Sequence, residues 1–87
     1  MEFVGPGVAG LSMEYRNAID VMTTETTCWS SVWVTDDKTR DYYQRRGRGD
    51  RYRRLAPGEV AYYDGCVYVD LSEVECSIAM PMHPSNV

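Results

Sequence analysis

A single carboxylate, Glu25, stands among four threonines in the run Thr23-Thr24-Glu25-Thr26-Thr27. The run follows a segment with helical periodicity and precedes one rich in strand-forming residues, so it is predicted to join a helix to a strand. A carboxylate at such a junction is fixed by the backbone on both sides and can serve as a general base or as a hydrogen-bond acceptor. Spacing alone is more typical of an exposed surface glutamate, so position makes Glu25 only a candidate catalytic residue.

Residues 45–54 form a second cluster with chemical potential, because RRGRGDRYRR contains six arginines and two glycines in ten residues. Guanidinium groups pair with phosphate oxygens, and Tyr52 could stack on a base, so the cluster could bind phosphate or RNA. The alternative is a solvated connector whose arginines pair with the chain's own carboxylates or with a neighbouring domain. The net charge of −4 disfavours a nucleic-acid partner and favours this alternative.

The cysteines and the histidine do not form a recognisable metal motif. Cys28, Cys66 and Cys76 lack the close C-x-x-C pair that most iron–sulfur sites need, so no metal ligand is assigned to them. We interpret them as reduced, buried structural cysteines of a cytoplasmic protein. The lone His83 is interpreted as structural rather than as a metal ligand. No Walker loop, G-x-G-x-x-G motif or nucleophile elbow is present, so the chain holds no complete active site of these kinds.

The first half of the chain contains the elements that must position Glu25. A short strand over residues 2–4 leads into an irregular loop at Gly5-Pro6-Gly7, and Ser12 is predicted to cap a helix that runs to Met22. Apolar residues recur at helical spacing and predict one buried face of this helix, made of Leu11, Tyr15, Ala18, Ile19 and Met22.

A strand and a second helix follow the threonine run. Residues 28–34 (CWSSVWV) are apolar on both faces and predict an interior strand covered by helices. Thr35-Asp36-Asp37 predicts a helix start, with the helix running to about Arg46 and stopping at Gly47. Two helical ion pairs are expected, Asp37 with Arg40 and Asp41 with Arg45.

The second half of the chain is rich in strand-forming residues. Residues 60–63 and 66–71 flank Asp64-Gly65, which predicts a tight hairpin or one long bulged strand with Val67, Val69 and Leu71 on its buried side. Together these elements predict an α/β fold in which a mixed sheet is packed by at least two helices.

Length and composition limit what this chain can do alone. Its 87 residues allow one small domain of marginal stability, although 44% apolar residues are enough to build a core. No run approaches the roughly 18 apolar residues of a membrane span, and no signal peptide is visible, so no membrane partner is expected. We expect the exposed strand edges of so small a domain to favour self-association as a homo-oligomer.

Several of these stretches resemble the second domain of aconitase-family hydro-lyases. The similarity includes the loop Phe-Val-Gly-Pro-Gly-Val-Ala-Gly-Leu-Ser at residues 3–12, the Glu25-Thr-Thr-Cys segment and the Trp-Val strand after it. It continues through Tyr63-Asp64, residues 69–72 (VDLS) and residues 81–86 (PMHPSN), and so covers nearly all of the chain. The resemblance implies a partial three-layer α/β/α domain over residues 1–87, a fragment of a larger multidomain enzyme.

The resemblance also assigns chemistry to Glu25. Aconitase-family enzymes move a hydroxyl between adjacent carbons of a hydroxy tricarboxylic or dicarboxylic acid, using a [4Fe-4S] cluster. A glutamate after the matching helix reaches their active site, and Glu25 occupies that place. The family's cluster cysteines, catalytic serine and substrate-binding arginines lie in other parts of a longer chain, and Cys28 is not expected to bind the cluster.

The resemblance therefore predicts that this chain contributes one wall of an active-site cleft. The chain alone is expected to be inactive. Its partners would be the remaining domains of the parent enzyme and a small carboxylic acid substrate, and the cluster would be held by the parent. The alternative hypothesis is a small stand-alone binding or assembly module, which uses residues 45–54 to bind an anionic partner or nucleic acid.

Overall fold

Regular secondary structure in this protein is confined to its first 51 residues. The computed structural model describes all 87 residues, with the elements β1 (Glu2–Phe3), α1 (Gly7–Gly10), α2 (Met13–Met22), a 3-10 turn (Thr23–Thr26), β2 (Val32–Trp33), α3 (Asp37–Arg45) and a second 3-10 turn (Gly49–Arg51). β1 and β2 pair in parallel, with Glu2 opposite Val32 and Phe3 opposite Trp33. The α/β class is confirmed, but the expected mixed sheet is a parallel pair of two strands.

Local capping residues determine where the two long helices begin. The Ser12 hydroxyl accepts a hydrogen bond from the Tyr15 N–H at 3.3 Å, which starts α2. Asp36 accepts the Thr39 N–H at 3.1 Å, and the Thr39 hydroxyl accepts the Asp36 N–H at 3.3 Å, which completes a capping box for α3. Gly47 has a φ of 67° just beyond α3, where glycine is favoured. Both predicted helices are confirmed.

The centre of the molecule is polar. Four residues are buried, and only one of them, Val8, is apolar; the others are Arg16, Thr23 and Thr39. Arg16 is 2% exposed and forms a bidentate ion pair with Asp36, with Nη1–Oδ1 at 3.1 Å and Nη2–Oδ2 at 2.6 Å. Nη2 also donates to the Val8 carbonyl at 2.9 Å, and Nε donates to the Leu11 carbonyl at 3.2 Å. Arg16 therefore joins α1, α2 and the start of α3.

The predicted apolar face of α2 is not the face that packs inward. Tyr15, Ala18 and Met22 are exposed, whereas Arg16 is buried and Asp20 is half-buried. The inward stripe has helical spacing and consists of Met13, Arg16, Asp20 and the buried Thr23 at the helix end. The prediction was wrong because the hydrogen bonds of Arg16 and Asp20 decide the orientation of this helix.

β2 is shorter and less covered than the predicted strand over residues 28–34. Only Val32 and Trp33 form a ladder, and Trp29 is fully exposed. The Trp33 ring stacks on Phe3 with centroids 4.1 Å apart, which holds the two strands together on one face. The prediction of a fully covered interior strand was wrong, since pairing ends where the two-residue β1 ends.

Residues 56–87 contain no helix and no strand. The predicted hairpin around Asp64-Gly65 does not form, and the predicted buried side chains Val67, Val69 and Leu71 are exposed. An isolated two-stranded hairpin is only marginally stable in water, so strand propensity alone does not produce one. The Tyr63 hydroxyl bonds to the Glu2 carboxylate, which attaches this part of the chain to β1.

The structure also tests the predicted loop at Gly5-Pro6-Gly7 and the two predicted ion pairs of the second helix. The loop at Gly5-Pro6-Gly7 is shorter than expected, because α1 already begins at Gly7 while Gly5 keeps a φ of 102°. The Asp37–Arg40 ion pair is confirmed at 3.0 Å, but Asp41 and Arg45 form no ion pair.

The whole chain is open for its size. Its radius of gyration is 14.7 Å, against about 12 Å for a compact domain of this length. Its accessible surface is 7694 Å², against about 5200 Å² for a compact monomer of 9.9 kDa. No helix combines the length and the apolar content needed to cross a bilayer. The excess surface belongs mostly to the second half, where almost every residue is exposed.

Removing the Arg16 side chain should unfold most of the ordered half. Arg16→Ala leaves the Asp36 carboxylate and two backbone carbonyls without their donor, a loss of about 3 kcal/mol. We expect the urea midpoint of the helical circular dichroism to fall sharply or the transition to disappear. Arg40→Ala is the matched control, because its exposed ion pair contributes less than about 0.5 kcal/mol. Equal effects of the two substitutions would contradict this role for Arg16.

Asp36 should make stability depend on pH in the acid range. The hydrogen bond from Arg16, helped by the Thr39 N–H, lowers the pKa of Asp36 below its ordinary value of 3.8. A lowered folded-state pKa gives stability that is fully present above 3.8 and is lost as the pH falls from there through the folded-state pKa. We expect the helical signal to fall in that window, and Asp36→Asn to weaken the protein at neutral pH while flattening the profile. If Asp36→Asn loses its helical signal over the same acid pH range as the unmodified chain, Asp36 is not the group that makes stability depend on pH.

Candidate functional site

The four threonines around Glu25 build a rigid turn at the end of α2. Three hydroxyls donate to the carbonyl three residues before them: Thr23 to Asp20 at 2.7 Å, Thr24 to Val21 at 2.9 Å and Thr26 to Thr23 at 2.7 Å. We call this 3-10 helix, Thr23–Thr26, the threonine turn. Such back-bonding tightens the last turn of a helix and satisfies carbonyls that would otherwise lack partners.

Thr27 ends this turn in an unusual conformation. Its φ is 62° and its ψ is 20°, in the left-handed region, and its N–H donates to the Thr24 carbonyl at 3.1 Å. A β-branched residue there is strained by about 1 to 2 kcal/mol, and glycine is the usual choice. Strain of this kind is concentrated at functional sites, and here it lies two residues after the Glu25 carboxylate.

Glu25 lies on the outer side of the threonine turn. It is exposed, and its carboxylate forms no hydrogen bond or ion pair within the chain. The expected junction between a helix and a strand is present, since the turn follows α2 and precedes β2. The turn therefore fixes the backbone from which the Glu25 side chain extends, and its carboxylate oxygens have no partner within the chain.

A network of hydrogen bonds attaches the end of α2 and the threonine turn to the sheet. The Asp20 carboxylate accepts hydrogen bonds from the Ser31 hydroxyl and from the Trp33 indole N–H, the latter at 3.0 Å. The Thr23 hydroxyl lies 3.3 Å from the Ser31 hydroxyl. The end of α2, where the threonine turn begins, is thus bonded to β2.

A cavity of about 230 Å³ lies between α2, β2 and the start of α3. Its polar lining includes Arg16, Asn17, Asp20 and Thr39, and Glu25 is not part of it. All five N–H groups of Arg16 already donate to protein acceptors, and no buried side-chain nitrogen or oxygen lacks a partner. The N–H groups of Arg16 that line this cavity are therefore all bonded within the protein, and none is free to bind an anion.

The other sequence candidates are not brought to Glu25. Cys28 is half-buried, with its sulfur 3.3 Å from the Thr26 hydroxyl, while Cys66 and Cys76 are exposed free thiols rather than the predicted buried ones. His83 bonds locally to the Ser85 hydroxyl at 2.7 Å. Residues 45–54 run from the end of α3 through the second 3-10 turn and do not contribute to the threonine turn.

Sequence reasoning missed the residues that support Glu25. Arg16, Asp20 and Thr23 recur at helical spacing on one face of α2, and this polar stripe was a signal in its own right. Ser31 and Trp33 carried no comparable signal, because their partner lies 11 and 13 residues away along the chain.

The site is thus a carboxylate presented on a strained turn between the helix and second strand of a β-α-β unit. The sequence profile of the "Aconitase family (aconitate hydratase)" matches residues 1–87. The chain belongs to the aconitase family. The predicted family membership is confirmed.

Individual relatives give the same result. The chain is 38% identical over 86 residues to the 2,3-dimethylmalate dehydratase large subunit of Eubacterium barkeri, an alignment that covers 99% of this chain and 20% of that protein. It is 36% identical over 87 residues to the 3-isopropylmalate dehydratase large subunit of Picrophilus torridus, covering all of this chain and 21% of that protein. It is 38% identical over 91 residues to "Aconitase htyD" of Aspergillus rugulosus, covering all of this chain and 10% of that protein. No solved structure gives a significant match.

The chain thus spans about a fifth of the length of the dehydratase large subunits it matches. The residues present do not fit an iron–sulfur cluster, because no three Cys, His, Asp or Glu side chains come together as a metal site. The three cysteines also differ in exposure and form no common cluster.

Replacing Thr27 by glycine should stabilise the threonine turn. Thr27→Gly removes the left-handed strain but adds unfolded-state entropy, so we expect a net gain of about 0.5 to 1 kcal/mol in the free energy of unfolding. Thr24→Gly is the control, since Thr24 lies within the 3-10 helix and its replacement should cost about 1 kcal/mol. Urea unfolding measures both variants, and a destabilised Thr27→Gly would contradict the left-handed turn.

Proposed function

We propose that this chain forms one wall of the active-site cleft of a hydro-lyase, as a single partial α/β domain of a larger enzyme. The observation that carries the proposal is the family match across residues 1–87, with Glu25 held on a strained turn and lacking any partner within the chain. The expected three-layer α/β/α arrangement belongs to the same proposal, with helices and strands from the rest of the enzyme covering the two-stranded sheet.

The reaction we propose is the removal and return of water across adjacent carbons of a hydroxy acid. The relatives named above are called dehydratases of dimethylmalate and isopropylmalate, and one is called an aconitase. These names favour a hydroxy dicarboxylic or tricarboxylic acid as the substrate of the whole enzyme. The Arg16 guanidinium is excluded as the group that binds the substrate carboxylates, because its five N–H groups are already used.

Glu25 is the one residue of this chain to which we assign a catalytic role. In dehydration a hydroxyl leaves one carbon and a proton leaves its neighbour. An exposed carboxylate can accept a hydrogen bond from the departing hydroxyl or hold its proton, and the rigid threonine turn lowers the cost of placing it. The hydrogen bonds of Asp20 with Ser31 and Trp33 attach the end of α2, from which the threonine turn continues, to β2.

The rest of the machinery must come from outside these residues. A [4Fe-4S] cluster, which the family generally carries, would be held by other parts of the parent enzyme, since no metal-binding group of side chains is present here. The small carboxylic acid substrate and the remaining domains are the partners that complete the site. The chain by itself should not catalyse dehydration.

Exchanging the carboxylate of Glu25 for an amide tests this proposal. In the full-length enzyme that contains this segment, Glu25→Gln should lower turnover by about a hundredfold or more, because an amide cannot take up a proton. Iron and sulfide content and the visible absorption of the cluster are measured on the same sample, so that loss of the cluster is not mistaken for loss of catalysis.

Glu14→Gln is the matched control, because Glu14 is an exposed glutamate of α2, the helix that leads into the threonine turn, and has no assigned role in the reaction. We expect near-normal turnover from this variant. Near-normal turnover of Glu25→Gln with an intact cluster would refute the catalytic assignment.

A further inference from the structure

The threonine turn is closed by two nested backbone hydrogen bonds. The Cys28 N–H donates to the Thr23 carbonyl at 3.2 Å. Inside that pair, the Thr27 N–H donates to the Thr24 carbonyl at 3.1 Å. These two bonds, with a left-handed residue at position 27, form a Schellman motif. Glu25 therefore lies within both hydrogen-bonded loops of this motif.

The end of α3 contains the same motif. The Arg48 N–H donates to the Tyr43 carbonyl, and the Gly47 N–H donates to the Gln44 carbonyl, both at 2.9 Å. Gly47 is the left-handed residue here, with a φ of 67° against 62° for Thr27. The chain thus makes one kind of turn twice, with glycine at the left-handed position after α3 and threonine at the left-handed position beside Glu25.

Glycine and threonine differ at this position in both strain and freedom. Glycine has no Cβ and adopts a positive φ at no steric cost, whereas a β-branched residue does so only under strain. The left-handed region open to a residue with a Cβ is small, while glycine moves among several regions of φ and ψ. Threonine at position 27 therefore lowers stability and narrows the conformations of the turn.

The side chain of Thr27 does not offset this strain within the chain. The hydroxyls of the three threonines before it each donate to a carbonyl of their own helix. The Thr27 hydroxyl forms no hydrogen bond in this structure, and the residue is exposed. What Thr27 contributes to the turn is therefore its restrained backbone.

We infer that Thr27 is a positioning residue for Glu25. The inference rests on the proposed function, in which the Glu25 carboxylate interacts with the departing hydroxyl or its proton. A misplacement of about 1 Å can cost about a hundredfold in rate, so a narrowly held turn favours catalysis more than a relaxed one. Proteins keep strain of this kind at functional sites at the expense of stability.

Thr27→Gly in the full-length enzyme that contains this segment tests the inference. We expect kcat to fall by about three- to tenfold, because the Glu25 carboxylate samples more positions. KM should stay within about twofold, since the role assigned to Glu25 is in the transition state. The midpoint of thermal unfolding should stay the same or rise, because strain is removed. Unchanged kcat, or a lower kcat together with a lower midpoint, would overturn the positioning role.

Gly47→Thr is the matched control, because it places a threonine in the same left-handed conformation at the end of α3. Apart from its chain neighbours, no residue comes within 4 Å of where a Cβ at position 47 would lie, so the change adds strain without a clash. Its unfolding midpoint should fall while kcat is unchanged, the reverse of Thr27→Gly. An equal loss of kcat in both variants would contradict a specific role for Thr27.

Thr27→Asn separates the restrained backbone from the threonine side chain itself. Asparagine enters the left-handed region more readily than threonine does, yet it keeps a Cβ that glycine lacks. We expect its kcat to lie closer to that of the unmodified enzyme than to that of Thr27→Gly. A loss as large as that of Thr27→Gly would mean that backbone restraint is not what Thr27 supplies.

The double variant Glu25→Gln/Thr27→Gly shows whether Thr27 acts through Glu25. Without the carboxylate there is nothing for Thr27 to position, so the double variant should be no slower than Glu25→Gln alone. A purely structural effect of Thr27 would instead add to that of Glu25→Gln, and additive losses would exclude the inference.

The same variants distinguish this inference from the proposed function. Near-normal kcat of Glu25→Gln would overturn both. Slow turnover of Glu25→Gln together with unchanged kcat of Thr27→Gly would overturn the positioning role alone and leave the proposed function standing. Iron and sulfide content are measured on every variant, so that loss of the cluster is not counted as loss of positioning.

Discussion

The buried ion pair between Arg16 and Asp36 is the interaction on which the ordered half of this protein depends. Arg16 reaches the carbonyls of Val8 and Leu11 on one side and the Asp36 carboxylate on the other. Asp36 is also the cap of α3, so a single carboxylate both starts one helix and fixes the position of another. A chain of 87 residues with one buried apolar side chain cannot rely on a hydrophobic core, and directional hydrogen bonds select its arrangement instead.

The same constraint explains why Glu25 is available for a partner. Arg16 sets the rotation of α2, and this rotation turns Asp20 and Thr23 toward β2, where they meet Ser31 and Trp33. The hydroxyls of Thr23, Thr24 and Thr26 donate to carbonyls of their own helix, and none of them donates to the Glu25 carboxylate. An exposed carboxylate on a fixed and strained turn is what a cleft completed by other domains requires.

How far the sequence predicts this structure depends on how local each interaction is. The starts of α2 and α3 were predictable because Ser12, Asp36 and Thr39 act within three residues of the bonds they form. The predicted hairpin at residues 60–71 failed because a strand needs a neighbouring strand, which propensity cannot supply. The Arg16–Asp36 pair spans 20 residues, so nothing in the local pattern announced it. Glu25 was found by its place between helix and strand, whereas the network behind it depends on contacts between separate elements.

The central role of Arg16 is tested most directly by nuclear magnetic resonance of the arginine Nε–H groups. We expect one of the eight arginines, Arg16, to show a sharp Nε–H resonance that exchanges slowly with solvent, because that proton is buried and donated to the Leu11 carbonyl. The resonance should collapse to the fast exchange of the other seven in Asp36→Asn. If all eight arginines exchange equally fast in the unmodified chain, Arg16 is not buried and the polar centre described here does not hold the fold together.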